Sequence, residues 1–208
     1  MLSDHLALDM KARATTKLLL GLFEDKGFID SVSLGYQQIC NDALARFGVR
    51  PRSLQETDRK RLTFEIACFS AFLTMGQEAP NLVVRGRPVW GDPPDDSAIR
   101  YFNTKLLECF DSEFQIRGIG DIREIVATSV ATPIVFGSGE PLNFANRLGA
   151  YVRSGSSRKA FEYFAQQFAL ALDPHNYAAL KMYGMQLTGG IVDLTRETLL
   201  SVFDSDLS

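Results

Sequence analysis

Few side chains in this sequence stand where they could do chemistry together. His175 comes nearest, with Asp173 just before it and Asn176 and Tyr177 just after it. An imidazole that titrates near neutrality, with a carboxylate and a phenol as neighbours, can pass protons. The same Asp173-Pro174 pair also reads as a helix start, since aspartate caps and proline suits the first helical position. That places His175 on a first turn facing water, and spacing alone puts no nucleophile beside it. His5, the other histidine, lies near the start of the chain.

Cys40, Cys68 and Cys109 are odd in number, widely separated and outside any paired-cysteine motif. They read as free thiols packed in helices. With two histidines in the chain and no Glu-x-x-His repeat, neither a zinc set nor a di-iron set is assembled. No metal ligand is assigned, and no pattern identifies a cofactor or a catalytic group.

The best local charge cluster is Arg147, Arg153, Arg158 and Lys159, in a stretch without acids between Glu140 and Glu162. Within it, Ser154-Gly155-Ser156-Ser157 precedes an amphipathic segment. A small-residue loop at a helix start offers backbone amides to an anion, and the helix dipole favours negative charge. Arg153, Ser156, Ser157, Arg158 and Lys159 are therefore expected to form an anion-binding turn, against the plainer reading of a serine-capped polar turn. The glycine spacing matches neither the phosphate loop nor the dinucleotide fingerprint.

Glu65 is the only charged residue between Leu62 and Met75. On a helical wheel it lies between Phe69 and Phe72, so burying this helix carries the carboxylate inward, where it needs a partner or a proton. An ion pair with Arg61, four positions earlier, is the plain reading. The functional reading is a polar anchor in an aromatic pocket. Arg59-Lys60-Arg61, beside Glu56 and Asp58, reads as a solvated helix start, too short for a nucleic-acid patch.

The elements that would position these groups are mostly helices. Glycine and proline punctuation divides the chain into segments of helical length. Ser53 followed by Glu56 matches a capping box and predicts a helix opening near Leu54. Asp95 or Asp96 after Pro93-Pro94, and Ser138 before Pro141, are weaker start signals. Phe161, Phe164, Ala165, Phe168 and Leu172 share one arc opposite Arg158, Lys159, Glu162 and Gln166, predicting an amphipathic helix. Ile191, Val192, Leu199, Val202 and Phe203 oppose Asp193, Arg196, Glu197 and Ser201 in another. Leu62 to Met75 is apolar around most of its circumference, with a strip of Thr63, Ser70 and Thr74, and is expected at the centre. Gly184, Gly189 and Gly190 predict a kink or a turn between two helices. The segments on either side of Gly86 are read as a short hairpin near 82–90 or an extended excursion, holding the only tryptophan, Trp90. Ile125 to Phe136 is read as a helix end followed by a loop.

The expected fold is therefore all-α, a single multi-helical bundle of about eight or nine helices filling one domain over 1–208. A division near Ala79 to Pro94 is the alternative. The formal charge is −3 and the pI about 5.5. The two halves carry similar balances of acid and base, so no global field draws a polyphosphate, and nucleic-acid binding is disfavoured. Charges interrupt every candidate signal-peptide core, and no run is long and apolar enough for a membrane span. A cytoplasmic protein without a membrane partner is expected. Abundant core residues without a catalytic set point to an interaction or regulatory protein. Such a protein offers a surface or groove to a macromolecular partner, another protein or a second copy of the chain. The alternative is a small-molecule-binding protein or enzyme with an aromatic-lined pocket between helices, taking a small, anionic ligand.

Overall fold

The computed structural model describes residues 2–44, 53–119, 123–127, 135–141 and 143–204. The chain is all-α, with seven α-helices: α1 (Leu2–Glu24), α2 (Lys26–Ile39), α3 (Glu56–Leu73), α4 (Asp96–Ile116), α5 (Phe144–Arg153), α6 (Ser157–Leu172) and α7 (Tyr177–Asp204). Two antiparallel hairpins interrupt them, β1 (Val83–Val84) with β2 (Arg87–Pro88) and β3 (Arg123–Ala127) with β4 (Val135–Pro141).

Short polar side chains start these helices by accepting from first-turn amides. Asp25 receives the amides of Gly27 and Phe28 at 2.8 and 3.2 Å, and Asp95 those of Ser97 and Ala98 at 2.9 and 3.1 Å. Asn143 and Ser156 do the same for α5 and α6. The capping box of α3 lies later than the Ser53 and Glu56 spacing predicts. Gln55 is the cap, and its amide donates to Asp58 at 2.8 Å. Between α5 and α6 the chain reverses through Gly155 at φ 77°, a left-handed turn that glycine enters without steric cost.

α3 is central, packing against α1, α5, α6 and α7, and nearly every residue from Leu62 to Leu73 is buried. Its small polar strip meets α7, where the Ser70 and Thr195 hydroxyls lie 2.6 Å apart. α6 shows the expected face, with Phe164, Ala165, Phe168 and Leu172 buried. Aromatic rings knit the bundle in three places. Phe69 stacks on Phe164 with ring centres 4.4 Å apart and also meets Tyr151 and Phe161. Phe64, Phe110, Phe114 and Phe144 join α3, α4 and α5. Trp90, Phe102 and Phe203 join the first hairpin to α4 and α7. Offset and edge-on pairs of this kind add about 0.5–1.5 kcal/mol each beyond their burial. One contiguous buried cluster draws side chains from all seven helices.

Two expectations are corrected. Ile125 to Phe136 is no helix end. β3 and β4 pair as Ile125 with Gly137, Val126 with Phe136 and Ala127 with Val135, with an irregularity between Arg123 and Ile125. The β-branched content of the stretch was the better signal. Nor do the glycines divide the C-terminal helix: α7 runs unbroken through Gly184, Gly189 and Gly190. Gly184 is needed for packing, since a Cβ there would meet Ala165 Cα at 2.9 Å. That continuity is one reason for seven helices among the described residues rather than eight or nine. No helix of the described residues is long and apolar enough to cross a membrane.

Candidate functional site

The first hairpin builds an open apolar feature. Arg85 and Gly86 both hold positive φ, 50° and 77°, as a two-residue turn matched to strand twist requires. This tight reversal carries Arg85 in the turn and Arg87 at the start of β2. Behind it the Trp90 indole N–H donates to the Ala79 carbonyl, and the Asp95 amide donates to the Trp90 carbonyl at 2.8 Å. With its polar group engaged inward, the indole contributes apolar wall.

Between this hairpin, the first turns of α1, the start of α4 and the end of α7 lies a groove of about 760 Å³. Leu8, Val84, Val89, Trp90 and Phe203 supply its apolar lining. Its charged lining is Lys11, Arg85 and Arg87 against Asp95 alone. Lys11 donates to the Val202 carbonyl at 3.3 Å and rests 4.5 Å from the centre of the Phe203 ring. Arg85 pairs with Asp204 at 2.7 Å. Arg87 makes no ion pair among the described residues. Asp95 is occupied by the start of α4: the Ser97 hydroxyl and the Ala98 and Ser97 amides hold its carboxyl below the usual range. Leu6 and Met10, also on α1, are 63% and 64% exposed.

Glu65 lies in the core as its helical position predicts. The partner its carboxylate finds there comes from another helix: Arg147 of α5 lies 3.0 Å away, and both side chains are buried. Arg147 also donates to the Tyr163 hydroxyl at 2.6 Å. Burial works against the guanidinium charge, but Glu65 and Tyr163 outweigh it and hold the Arg147 pKa above its ordinary value. Burial, reinforced by the Glu65 charge, pushes the Cys68 thiol and the Tyr151 phenol well up. The fully buried Tyr151 hydroxyl has no hydrogen-bond partner among the described residues. Any ligand reaching Glu65 would have to displace the guanidinium.

The basic cluster predicted around α6 disperses. Arg147 turns into the core, and Arg153 folds back over Gly149 on its own helix. Arg158 pairs with Glu162 at 3.3 Å. Ser156 accepts from the Lys159 amide at 3.3 Å, and Ser157 accepts from Gln77 at 2.6 Å. Lys159 itself is exposed. Asp173, expected beside His175, is buried and accepts from Tyr36 at 2.8 Å and Asn176 at 2.7 Å. The His175 side chain lies outside the described residues. Cys40 and Cys68 are buried and Cys109 half-buried, all three free. Among the described residues no three of His, Cys, Asp and Glu gather to hold a metal ion.

Sequence reasoning located the hairpin and its tryptophan but missed the groove. Arg85 and Arg87, flanking Gly86 within an apolar run that ends at Trp90, were the available local signal; Lys11 and Phe203 join them only through the fold. No protein-family model, curated protein or solved structure matches this chain.

Proposed function

We propose that the chain is a protein-interaction module whose Trp90 groove receives an amphipathic, acidic segment of a partner protein. The observation that carries this reading is the groove's composition: an open apolar lining with two aromatic rings, rimmed by three cations against one engaged carboxylate. Apolar side chains of the incoming segment would lie against Leu8 and Val89 over the largely buried Trp90 and Phe203 rings, and a carboxylate would meet Arg87. The groove opens to the surface rather than enclosing a cavity, which favours a macromolecular partner over an enclosed ligand. In this reading the seven helices act as one domain that presents the groove. The chain works in the cytoplasm, where its three free cysteines remain reduced. A free amphipathic carboxylate is the second reading, because 760 Å³ falls within the range of small-molecule sites.

Fluorescence anisotropy of a labelled amphipathic helical peptide bearing glutamates tests the proposal, with a lysine-bearing counterpart as control and dodecanoate as competitor. The acidic peptide is expected to bind saturably and the basic one not. Arg87→Glu should weaken binding about tenfold, the equivalent of roughly 1.4 kcal/mol. Binding of dodecanoate alone would favour the second reading, and equal binding of both peptides would overturn the charge argument.

A further inference from the structure

Four helix ends meet around a second, smaller cleft on a different part of the molecule. Its charged lining is Glu24, Lys26, Glu56, Arg59, Lys60 and Arg117, and its volume is about 240 Å³. At about 30 Å³ per water, that space holds a phosphate group with a short organic stem or part of its hydration.

The charges are unevenly matched. Arg117 is held by Glu24 and by Glu113, the latter at 3.1 Å, so its charge is fully answered within the protein. Lys26, Arg59 and Lys60 make no ion pair among the described residues, and only the exposed Glu56 opposes them. The neighbouring acids are turned to backbone: Asp25 accepts from the Gly27 and Phe28 amides, and Asp58 from the Gln55 amide. Arg59 and Lys60 are half-buried and consecutive on α3. Partial burial of adjacent like charges is unfavourable until an anion joins them. The buried Thr63 hydroxyl also lines the cleft, its bond to the Phe23 carbonyl stretched to 3.5 Å. It can turn to a ligand oxygen at little cost.

We infer that this cleft binds a phosphate dianion, free or as a phosphomonoester, through Lys26, Arg59 and Lys60. Three cations facing one carboxylate call for a doubly charged partner, and a monocarboxylate would leave part of the charge unanswered. Because phosphomonoesters gain their second charge near pH 6, affinity for the esterified form rises from about pH 5 to 7, and that for the free ion, a weaker acid, rises at higher pH. Sulfate, already doubly charged, shows no such rise.

Amide NMR and calorimetry with inorganic phosphate, O-phosphoserine and sulfate, at matched ionic strength, test the inference. Saturable shifts are expected around Lys26 to Ile29 and Arg59 to Thr63 at millimolar phosphate, and with O-phosphoserine the rise from about pH 5 to 7. Tighter binding of O-phosphoserine than of inorganic phosphate would identify the esterified form as the ligand, and the reverse order the free ion. Arg59→Gln with Lys60→Gln should weaken binding about tenfold or more. Lys26→Gln, on a separate helix, provides the same test should the double variant fold poorly. Absence of shifts at millimolar phosphate, shifts confined to the Ser154 to Lys159 turn, or binding unaltered in these variants would overturn the inference.

Discussion

Glu65 and Arg147 form the most consequential polar contact in the core. Breaking a buried pair from one side leaves an uncompensated charge, which costs about 3–5 kcal/mol. Glu65→Gln is therefore expected to lower stability by about 3 kcal/mol in urea unfolding, whereas Glu65→Leu with Arg147→Met should recover most of that loss. Additive losses in the double variant would contradict the pairing. Burial of the carboxylate was legible locally, because a helical wheel places Glu65 among phenylalanines. Its partner on α5 was not, because helical spacing is blind to tertiary neighbours.

The buried thiol and phenol beside this pair give the protein an alkaline limit. Cys68 and Tyr151 keep their protons in the folded state to higher pH than in the unfolded chain. Unfolded thiols and phenols ionise near about pH 8.5 and 10, so above those values the unfolded state binds fewer protons. The stability from these groups is complete below about pH 8.5 and is lost as pH rises toward the folded-state values. Unfolding midpoints measured from about pH 7 to 10.5 should decline above about pH 8.5. A flat or rising profile would show that these groups are not held as described.

At the scale of elements, α7 poses the sharpest contrast. Gly189 and Gly190 are exposed in mid-helix, and a Cβ at either would meet nothing within 4 Å. Replacing each by alanine should stabilise the protein by about 0.5–1 kcal/mol and raise Tm by about 2 °C. Gly184→Ala should do the opposite, because α6 backbone occupies the space. A thermal-melt series distinguishes the three positions, and equal effects at all of them would contradict the assigned packing. The sequence weighed these glycines alike because propensity ignores what lies across a helix. For the same reason Asp95 was readable as a cap from its local pattern, while the start of α3 shifted from Ser53 to Gln55. Asp25→Ala should cost about 1 kcal/mol by removing the α2 cap, measurable in the same melts.

Across the whole molecule, composition and periodicity were sufficient for the all-α class and the central place of α3. They could not reveal the groove, which takes Lys11 and Phe203 from opposite ends of the chain and closes them against a hairpin midway. Net charge misled in a similar way. A chain that is acidic overall excludes a global basic field, yet the fold gathers cations into two separate concavities. The expected α6 site failed to converge for the complementary reason: its basic residues are neighbours in sequence, but helical geometry points Arg147 and Arg158 in different directions.

The central claim, that the Trp90 groove is where a partner docks, has a built-in reporter, since the chain contains one tryptophan and it lines that groove. Titrating the acidic amphipathic peptide while recording Trp90 emission tests the claim most directly. The account predicts a saturable change in emission with the same midpoint as anisotropy, weakened by Arg87→Glu and by added salt. Saturable binding by anisotropy with Trp90 emission unchanged would place the partner elsewhere and contradict the account.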